Sequence, residues 1–316
     1  MSERGSALVV GATGLVGRAV ASALAAAGMR VEGVARRPPT RPCRFPVVAC
    51  DRGQPYALRA LFGRARYTAV VDCCLSSATD LPALSAVSCD RYVFMSSGSV
   101  YDHRRPGAGP GSGPTGEDAP LVRSLEGALS SATFERQRHR VELEQAVRTW
   151  AAGRCAVTAL RLGVVLGPGD RSMRLTHWRV QLASSDRTDV PDDAIVSFVD
   201  ARDLAELLAA ELARRSSSAW SVLNVGGPPR PRAPRLLDIV RFLVRFLRLS
   251  EQRVAPVSSA ELLERGVVPW SEVPLWAPPG TATDRLMMLD STRALAAGLS
   301  WRPWAETVLD SMEAPA

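Results

Sequence analysis

The amino-acid sequence predicts an α/β protein with a doubly wound parallel sheet and a smaller C-terminal domain, on three observations. Short apolar segments alternate with helical segments along most of the chain, as in a parallel sheet covered by helices on both faces. A glycine-rich turn separates the first apolar segment from the first helical one. The composition, 46% hydrophobic and 22% charged, is typical of a folded globular protein.

The first half of the chain supplies the start of this alternation. Strands are predicted at residues 7–10, 29–35, 47–51, 69–74 and 91–96. Helices are predicted at 16–27, which is rich in alanine and closed by Gly28, and at 56–63. Consecutive strands separated by helices pair in parallel, so these segments predict one central sheet.

The second half continues the pattern and adds a second domain. Helices are predicted at 134–150, 203–212 and 236–249, and strands at 156–165, 194–199 and 221–225. The first domain is predicted to comprise residues 1–165 with 196–227 and about 287–300, and the second 166–195 with 228–286. Helix 236–249 has one apolar and one arginine-bearing face, which favours packing on the protein over membrane binding. Three tryptophans of the second domain, at 178, 270 and 276, are expected in its core, with stacking on a flat substrate as the alternative.

Charge and composition exclude several classes of protein. The net charge is +7, but acids are interspersed among the basic residues, so no nucleic-acid partner is expected. No apolar run is long enough to span a membrane, and the first residues lack the pattern of a signal peptide, so a cytoplasmic location is expected. The six cysteines show no metal-ligand spacing, which predicts neither a metal site nor a disulfide.

The glycine-rich turn is the strongest functional signal. It consists of Gly11, Ala12, Thr13, Gly14, Leu15, Val16 and Gly17. The first glycine permits a tight turn, the second lets backbone amides approach a phosphate, and the third lets helix and strand pack closely. The start of the following helix offers free N–H groups to a pyrophosphate. This context predicts a Rossmann-type site that binds a nicotinamide dinucleotide.

The end of the second strand indicates which dinucleotide binds. An acidic residue about 20 residues beyond the glycines would hold the ribose hydroxyls of NAD. This sequence has Arg36 and Arg37 there, and the nearby Glu32 comes too early in the strand. Guanidinium groups suit a 2′-phosphate, so NADP(H) is predicted in preference to NAD(H).

Further segments resemble the extended short-chain dehydrogenase/reductases, also called the NAD-dependent epimerase/dehydratase family. The resemblance rests on the glycine spacing, on residues 96–101 (Ser-Ser-Gly-Ser-Val-Tyr), on Arg161 with Gly167-Pro168, and on the C-terminal segment 298–303. It implies that the cofactor contacts Asp51 and Arg52 after the third strand, with Asp51 on adenine. It also implies that Cys73, Cys74 and Leu75 line the cofactor, and that the enzyme acts on a small-molecule substrate.

The resemblance fails at the residues that carry out the family's chemistry. The family uses a serine together with a tyrosine and a lysine four residues apart on a helix. Ser97 matches the serine, whereas the best register puts Phe134 and Arg138 at the other two positions, with Glu142 at a glutamate position of the family. The register does not affect the loss of lysine, because the sequence contains none. The four tyrosines all precede this helix.

Phenylalanine carries no exchangeable proton, so acid–base catalysis would need another group. Arg138 could still bind the cofactor's ribose, and Tyr101 is the best replacement proton donor, ahead of His103 and Cys73.

These residues predict a reductase or epimerase-like enzyme acting on a small carbonyl or hydroxyl intermediate of bacterial secondary metabolism. Two alternatives stay open: a redox-neutral cyclase, isomerase or dehydratase, and a catalytically inactive dinucleotide sensor. The family often dimerises through helix 134–150, which implies a possible homodimer.

Overall fold

The computed structural model describes residues 5–37, 39, 43–54, 56–103, 113–122, 131–214 and 218–312, and in the helical segment 131–135 it describes the backbone alone. The strands are β1 Ser6–Val10, β2 Arg30–Ala35, β3 Val47–Ala49, β4 Arg66–Asp72, β5 Ser88–Ser97, β6 Ala156–Leu162, β7 Val164–Leu166, β8 Thr188–Pro191, β9 Phe198–Asp200, β10 Trp220–Val225 and β11 Val254–Val257. The helices are α1 Leu15–Ala26, α2 Ala57–Phe62, α3 Leu81–Leu84, α4 Ser131–Ala151, α5 Arg174–Ser184, α6 Ala201–Ala213, α7 Leu236–Phe246, α8 Ser259–Glu264, α9 Ala282–Leu286, α10 Thr292–Ala296 and α11 Trp304–Met312.

Seven strands form the central sheet in the order β10-β6-β5-β4-β1-β2-β3, with every pair parallel. The chain begins in the middle of the sheet at β1 and winds outward to one edge and then the other. The predicted Rossmann-type fold is therefore confirmed. Val10, at the end of β1, lies opposite both Val34 of β2 and Asp72 of β4. The carboxyl ends of these three strands thus meet at one edge of the sheet, where a ligand can reach all of them.

Apolar side chains cover both faces of this sheet. On one face the strands pack against α1 and α6, with Leu24 and Leu208 fully buried. On the other face α2, α3 and α4 supply the cover, including Leu58, Leu84 and Val147. A sheet buried on both faces explains why its strands are continuous apolar runs in the sequence.

The C-terminal part has its own core. It joins residues of α5, α7, α8 and α11 with the short strands β8, β9 and β11. The apolar face of α7 is buried there, as the sequence predicted for a packed helix. Trp178 and Trp276 are also buried, and their indole N–H groups donate to Pro274 O and Ser259 Oγ, so these two tryptophans have the core role expected of them.

Two predicted strands differ from the observed ones. The segment 156–165 is broken at Gly163, whose N–H donates to Val225 O, and its continuation β7 leaves the large sheet to pair with β9. The segment 194–199 forms a strand only from Phe198, because Val196 N–H bonds instead to Pro234 O at the joint with α7. Across the described ranges, no helix combines the length and the apolar character needed to cross a membrane.

Candidate functional site

The glycine turn lies between β1 and α1, as predicted. Gly11 has a positive φ of 84°, a conformation that glycine adopts without strain. A Cβ on Gly17 would press on Gly11 O and lie 2.7 Å from Gly11 C, so a side chain there would collide with backbone. Gly14 is the N-cap of α1 and has no side chain to bond the first N–H groups of the helix, so these groups can face an anion.

A cleft of 1310 Å³ extends from this turn along the carboxyl ends of β1, β2, β3 and β4. All residues of the glycine turn line it, and so do Asp51, Cys73 and Cys74. Arg36 and Arg37 lie at its edge, exposed at the end of β2. Glu32 is directed elsewhere, because its carboxylate accepts a hydrogen bond from Tyr67 Oη at 2.7 Å.

The cleft is positively charged. Its wall contains five arginines but two aspartates; the arginines are Arg18, Arg36, Arg37, Arg52 and Arg171, and the aspartates are Asp51 and Asp80. Such a wall attracts a polyanion such as a dinucleotide.

The predicted cofactor-lining run after β4 borders the cleft only in part. The Cys74 thiol lies above the glycine turn, since a Cβ on Gly11 would be 3.2 Å from its Sγ. Burial raises the pKa of the Cys73 thiol well above its ordinary value, which makes it a poor proton donor. Leu75 is buried, and its carbonyl oxygen accepts a bond from Arg140 Nη1 at 3.3 Å.

Ser97 ends β5 and begins a short 3-10 turn. Its Oγ accepts the N–H of Ser99 at 3.1 Å, which leaves the hydroxyl hydrogen out of that bond. His103 is buried beside this turn, and its Nε2 donates to Gly98 O at 3.2 Å, because a carbonyl can only accept. Burial, with the nearby charge of Arg285, lowers the pKa of His103 to about 4, so its imidazole is neutral at pH 7.

This buried histidine makes stability depend on pH. Its pKa is lower in the folded protein than in the unfolded chain, about 6.5, so its favourable contribution is complete above pH 6.5 and declines as the pH falls toward 4. Between pH 7.5 and pH 5 we expect the wild type to lose about 2 kcal/mol more of its unfolding free energy than His103→Asn. Urea unfolding at the two pH values measures this difference. Equal losses in the two proteins would contradict it.

Tyr101 does not face the cleft as the predicted replacement acid would. It is 1% exposed, and its hydroxyl donates to Asn224 Oδ1 at 2.7 Å while accepting from Arg161 Nη1 at 2.9 Å. Burial also raises the pKa of Tyr101. The Tyr101 hydroxyl is therefore held inside a buried network, and a proton-donor role for it stays a prediction that this geometry does not favour.

That network also fixes the orientation of α4. Glu144 accepts two bonds from Arg161, at 3.0 and 2.8 Å, and a third from Ser96 Oγ at 2.5 Å. The side chains of Glu144 and Arg161 are 5% and 6% exposed. Glu144 thus joins α4 to both β5 and β6, and its partner in β5, Ser96, directly precedes Ser97.

The face of α4 that carries Glu144 is not the one that the sequence register selected. Arg138 and Glu142 are 48% and 55% exposed and form an ion pair with each other at 3.5 Å. Arg140 is partly buried and reaches the cleft-lining loop at Leu75 O. Arg138 is thus about half exposed and paired with Glu142, and its contact with the cofactor stays a prediction. The Phe134 side chain lies outside the described part of the chain.

Sequence spacing could not distinguish the two faces. Phe134, Arg138 and Glu142 are spaced by four, and so are Arg136, Arg140 and Glu144. Glu144 is buried against Arg161, whereas Glu142 is about half exposed. The second set is therefore the one whose glutamate packs on the sheet. In both sets the positions of the family's tyrosine and lysine hold other residues.

A comparison of the sequence with models of protein families identifies the family of this protein. The sequence model described as the NAD dependent epimerase/dehydratase family matches residues 7–226, which include the glycine turn, β5 with Ser97, and α4. The protein belongs to this family. It is accordingly an NAD(P)-binding enzyme of the extended short-chain dehydrogenase/reductase type, as its sequence predicted.

Individual relatives are distant. A dTDP-6-deoxy-L-talose 4-dehydrogenase (NAD(P)(+)) of Kitasatospora kifunensis is 26% identical over 93% of this chain and 90% of its own. MoeE5, solved with UDP-glucuronic acid and NAD, is 20% identical with a TM-score of 0.66 and covers 98% of both chains. A UDP-glucuronic acid 4-epimerase from Bacillus cereus is 18% identical with a TM-score of 0.67 and 97% coverage of both chains. At these identities the solved structures support the fold alone.

Sequence reasoning missed two acidic residues of the site region. Asp72 ends the apolar run of β4 and is fully buried, where it binds Arg52 and Tyr92. Glu144 lies two residues beyond Glu142, the glutamate that the sequence register predicts for the site. A carboxylate that ends a buried strand was a detectable signal for Asp72, since such groups need partners. Across the described residues, no cluster of three or more histidine, cysteine or acidic side chains forms a metal site.

Proposed function

We propose that this enzyme is an NADP(H)-preferring oxidoreductase or epimerase that acts on a carbonyl or hydroxyl group of a nucleotide sugar, without the usual tyrosine and lysine. The observation that carries the proposal is the arginine-lined cleft of 1310 Å³ that joins the glycine turn to the ends of β2, β3 and β4. The relative from Kitasatospora kifunensis has a nucleotide-linked deoxysugar in its name, and MoeE5 was solved with a nucleotide sugar.

The residues present fit a dinucleotide. Position 17 leaves no space for a side chain, which keeps the backbone close enough for phosphates, and the first turn of α1 has no acidic residue to repel them. A dinucleotide bound there would transfer hydride to or from the substrate.

The chain's own groups would bind and orient the reactants. The glycine turn and α1 would hold the pyrophosphate, and Arg36 and Arg37 the 2′-phosphate. The free hydroxyl hydrogen of Ser97 would donate to the reacting oxygen of the substrate, and Arg140 would hold the cofactor's ribose from the Glu144 face of α4. Arginine stays protonated at neutral pH, so neither Arg136 nor Arg140 moves a proton, and that proton comes from water or substrate.

Cofactor choice provides the first test. The double variant Arg36→Ser/Arg37→Ser should bind NADPH about tenfold to a hundredfold more weakly, because two charge-assisted contacts to the 2′-phosphate are lost. Its affinity for NADH should stay close to that of the wild type. Fluorescence titration measures both constants, with Arg44→Ser, an exposed arginine outside the cleft wall, as control. An equal loss for both cofactors would argue against NADP preference.

The face of α4 provides the second test. Arg136→Tyr/Arg140→Lys restores the missing residue types on the Glu144 face, whereas Phe134→Tyr/Arg138→Lys places them in the other register. We expect the first variant alone to oxidise dTDP-6-deoxy-L-talose with NADP⁺ faster than the wild type, by about 10²-fold, a typical effect of acid–base catalysis. The rate of NADPH formation measures turnover, and Ser97→Ala in the faster variant should remove the gain. A gain from the second variant instead would reverse the assignment.

A dinucleotide-binding protein without turnover is the second candidate. It is favoured by the sequence of α4, which contains neither tyrosine nor lysine. Tight NADPH binding by the wild type, with no turnover of dTDP-6-deoxy-L-talose or UDP-glucuronic acid until the Arg136→Tyr/Arg140→Lys change is made, would support this candidate over the enzyme.

A further inference from the structure

Two cysteines approach each other at the amino ends of two neighbouring strands. Cys89 is the second residue of β5, and Cys155 directly precedes β6. Both cysteines are free and partly buried, and their thiols are close enough to share a hydrogen bond. Because β5 and β6 are parallel and the cleft lies at the carboxyl ends of the strands, this dithiol pair lies at the opposite edge of the sheet.

The strand register gives the two cysteines a backbone spacing that suits a disulfide. Arg91 lies opposite Ala156, so Cys89 and Cys155 are diagonal neighbours across β5 and β6. Neighbouring strands lie about 4.8 Å apart, and an offset of one residue gives a Cα–Cα separation of about 6 Å. A disulfide joins cysteines whose Cα atoms are about 4.4–6.8 Å apart.

Both side chains also lie on the same face of the sheet. Each packs against the apolar cluster that α2, α3 and α4 cover, so the two thiols face each other rather than opposite sides of the sheet. Their partial burial places them at the boundary of this core, where a small polar molecule can reach them.

The surroundings of Cys155 favour its thiolate. The hydrogen bond from Cys89 lowers the pKa of the Cys155 thiol against the opposing effect of burial, and the charge of Arg154 lowers it further. That charge is held in place, because Arg154 Nη2 donates to Ser85 O at 2.6 Å. The hydrogen bond to Cys155, together with burial, raises the pKa of the Cys89 thiol. Since the thiolate is the nucleophile in thiol oxidation, Cys155 is the thiol that reacts first.

We propose that Cys89 and Cys155 form a modification site at which hydrogen peroxide oxidises the two thiols to a disulfide. The Cys155 thiolate attacks one peroxide oxygen and becomes a sulfenic acid, and the proton that it released converts the departing hydroxide into water. The Cys89 sulfur then attacks the sulfenic sulfur, the S–S bond forms, and a second water leaves with the Cys89 proton. The two thiols lose two electrons to the peroxide.

The disulfide closes the chain from residue 89 to residue 155, which contains Ser97 and all of α4. Closing a long loop restricts the unfolded chain more than the folded one. Oxidation should therefore raise the melting temperature of the protein by about 5 °C.

Treatment of the purified protein with hydrogen peroxide tests the proposal. Mass spectrometry of the digested, unreduced protein should find the Cys89 and Cys155 peptides linked, with the loss of two hydrogen atoms. Dithiothreitol should reverse both the link and the higher melting temperature. Cys43→Ser, at another partly buried cysteine, is the matched control and should form the same link as the wild type.

Single variants of the pair test the order of the two steps. Cys89→Ser should accumulate a sulfenic acid at Cys155, trapped by dimedone, whereas Cys155→Ser should give about tenfold less of it at Cys89. Equal trapping in the two variants would overturn the assignment of Cys155 as the attacking thiol. A disulfide between other cysteines of the wild type, or oxidation of Cys155 to a sulfinic acid without any disulfide, would overturn the site itself.

Discussion

Gly17→Ala is expected to weaken NADPH binding at least about 100-fold, which corresponds to about 2.7 kcal/mol. The added methyl group would lie 2.7 Å from the carbonyl carbon of Gly11, and backbone cannot move aside as a flexible side chain can. The collision would separate α1 from the turn and remove the N–H groups that face the phosphates. Titration of tryptophan fluorescence with NADPH measures the effect, and circular dichroism verifies that the variant is folded.

Gly116→Ala is the control for this experiment. No atom lies within 4 Å of a Cβ placed on Gly116, so the same chemical change should leave NADPH binding unaltered. Gly14→Ala should have an intermediate effect, since the nearest atom to its Cβ is 3.3 Å away. Gly17→Ala binding NADPH within about threefold of the wild type would show that the turn does not hold the pyrophosphate, because a shift that small is under about 1 kcal/mol.

Arg161→Met should lower the free energy of unfolding by about 3–5 kcal/mol. The substitution removes both bonds to Glu144 and the bond to Tyr101 Oη, and it leaves the Glu144 carboxylate 5% exposed without its cation. Urea unfolding measures the loss. Adding Glu144→Gln, which removes the unpaired charge, should recover part of it and keeps the experiment informative if the single variant does not fold.

Arg138→Met is the matched control, because it breaks an ion pair of α4 whose two side chains are about half exposed. Exposed pairs contribute at most about 1 kcal/mol. Similar losses from Arg161→Met and Arg138→Met would contradict the assignment of Glu144 and Arg161 as the contact that orients α4.

The central sheet and the cofactor side of the cleft could be predicted from the sequence, because both depend on local patterns. The apolar run at Ala7–Val10 and the glycines at 11, 14 and 17 lie within one stretch of chain, and each glycine is required by backbone geometry there. The short strands β8 and β11 could not be predicted. They pair with each other across more than sixty residues, so nothing in the local sequence of either identifies its partner.

The residues around Ser97 show the opposite case. The sequence ranked Tyr101 as a proton donor because it follows Ser97 by four residues, but its hydroxyl is taken by Asn224 and Arg161, which lie 123 and 60 residues away.

Trp270 differs from Trp178 and Trp276, the other two tryptophans of the predicted second domain. It is partly buried, and the Arg174 guanidinium lies 5.9 Å above its ring.

The sequence by itself determined that a dinucleotide site exists and that the usual catalytic pair is missing. The first follows from backbone geometry at three glycines, and the second from the absence of lysine anywhere and of tyrosine on α4. Only the tertiary structure decided which face of α4 packs against β5 and β6. Residues 134, 138 and 142 and residues 136, 140 and 144 have identical spacing, so helical periodicity treats them alike. Burial of the Glu144 charge requires Arg161 from β6, and that long-range pairing alone distinguishes the two sets.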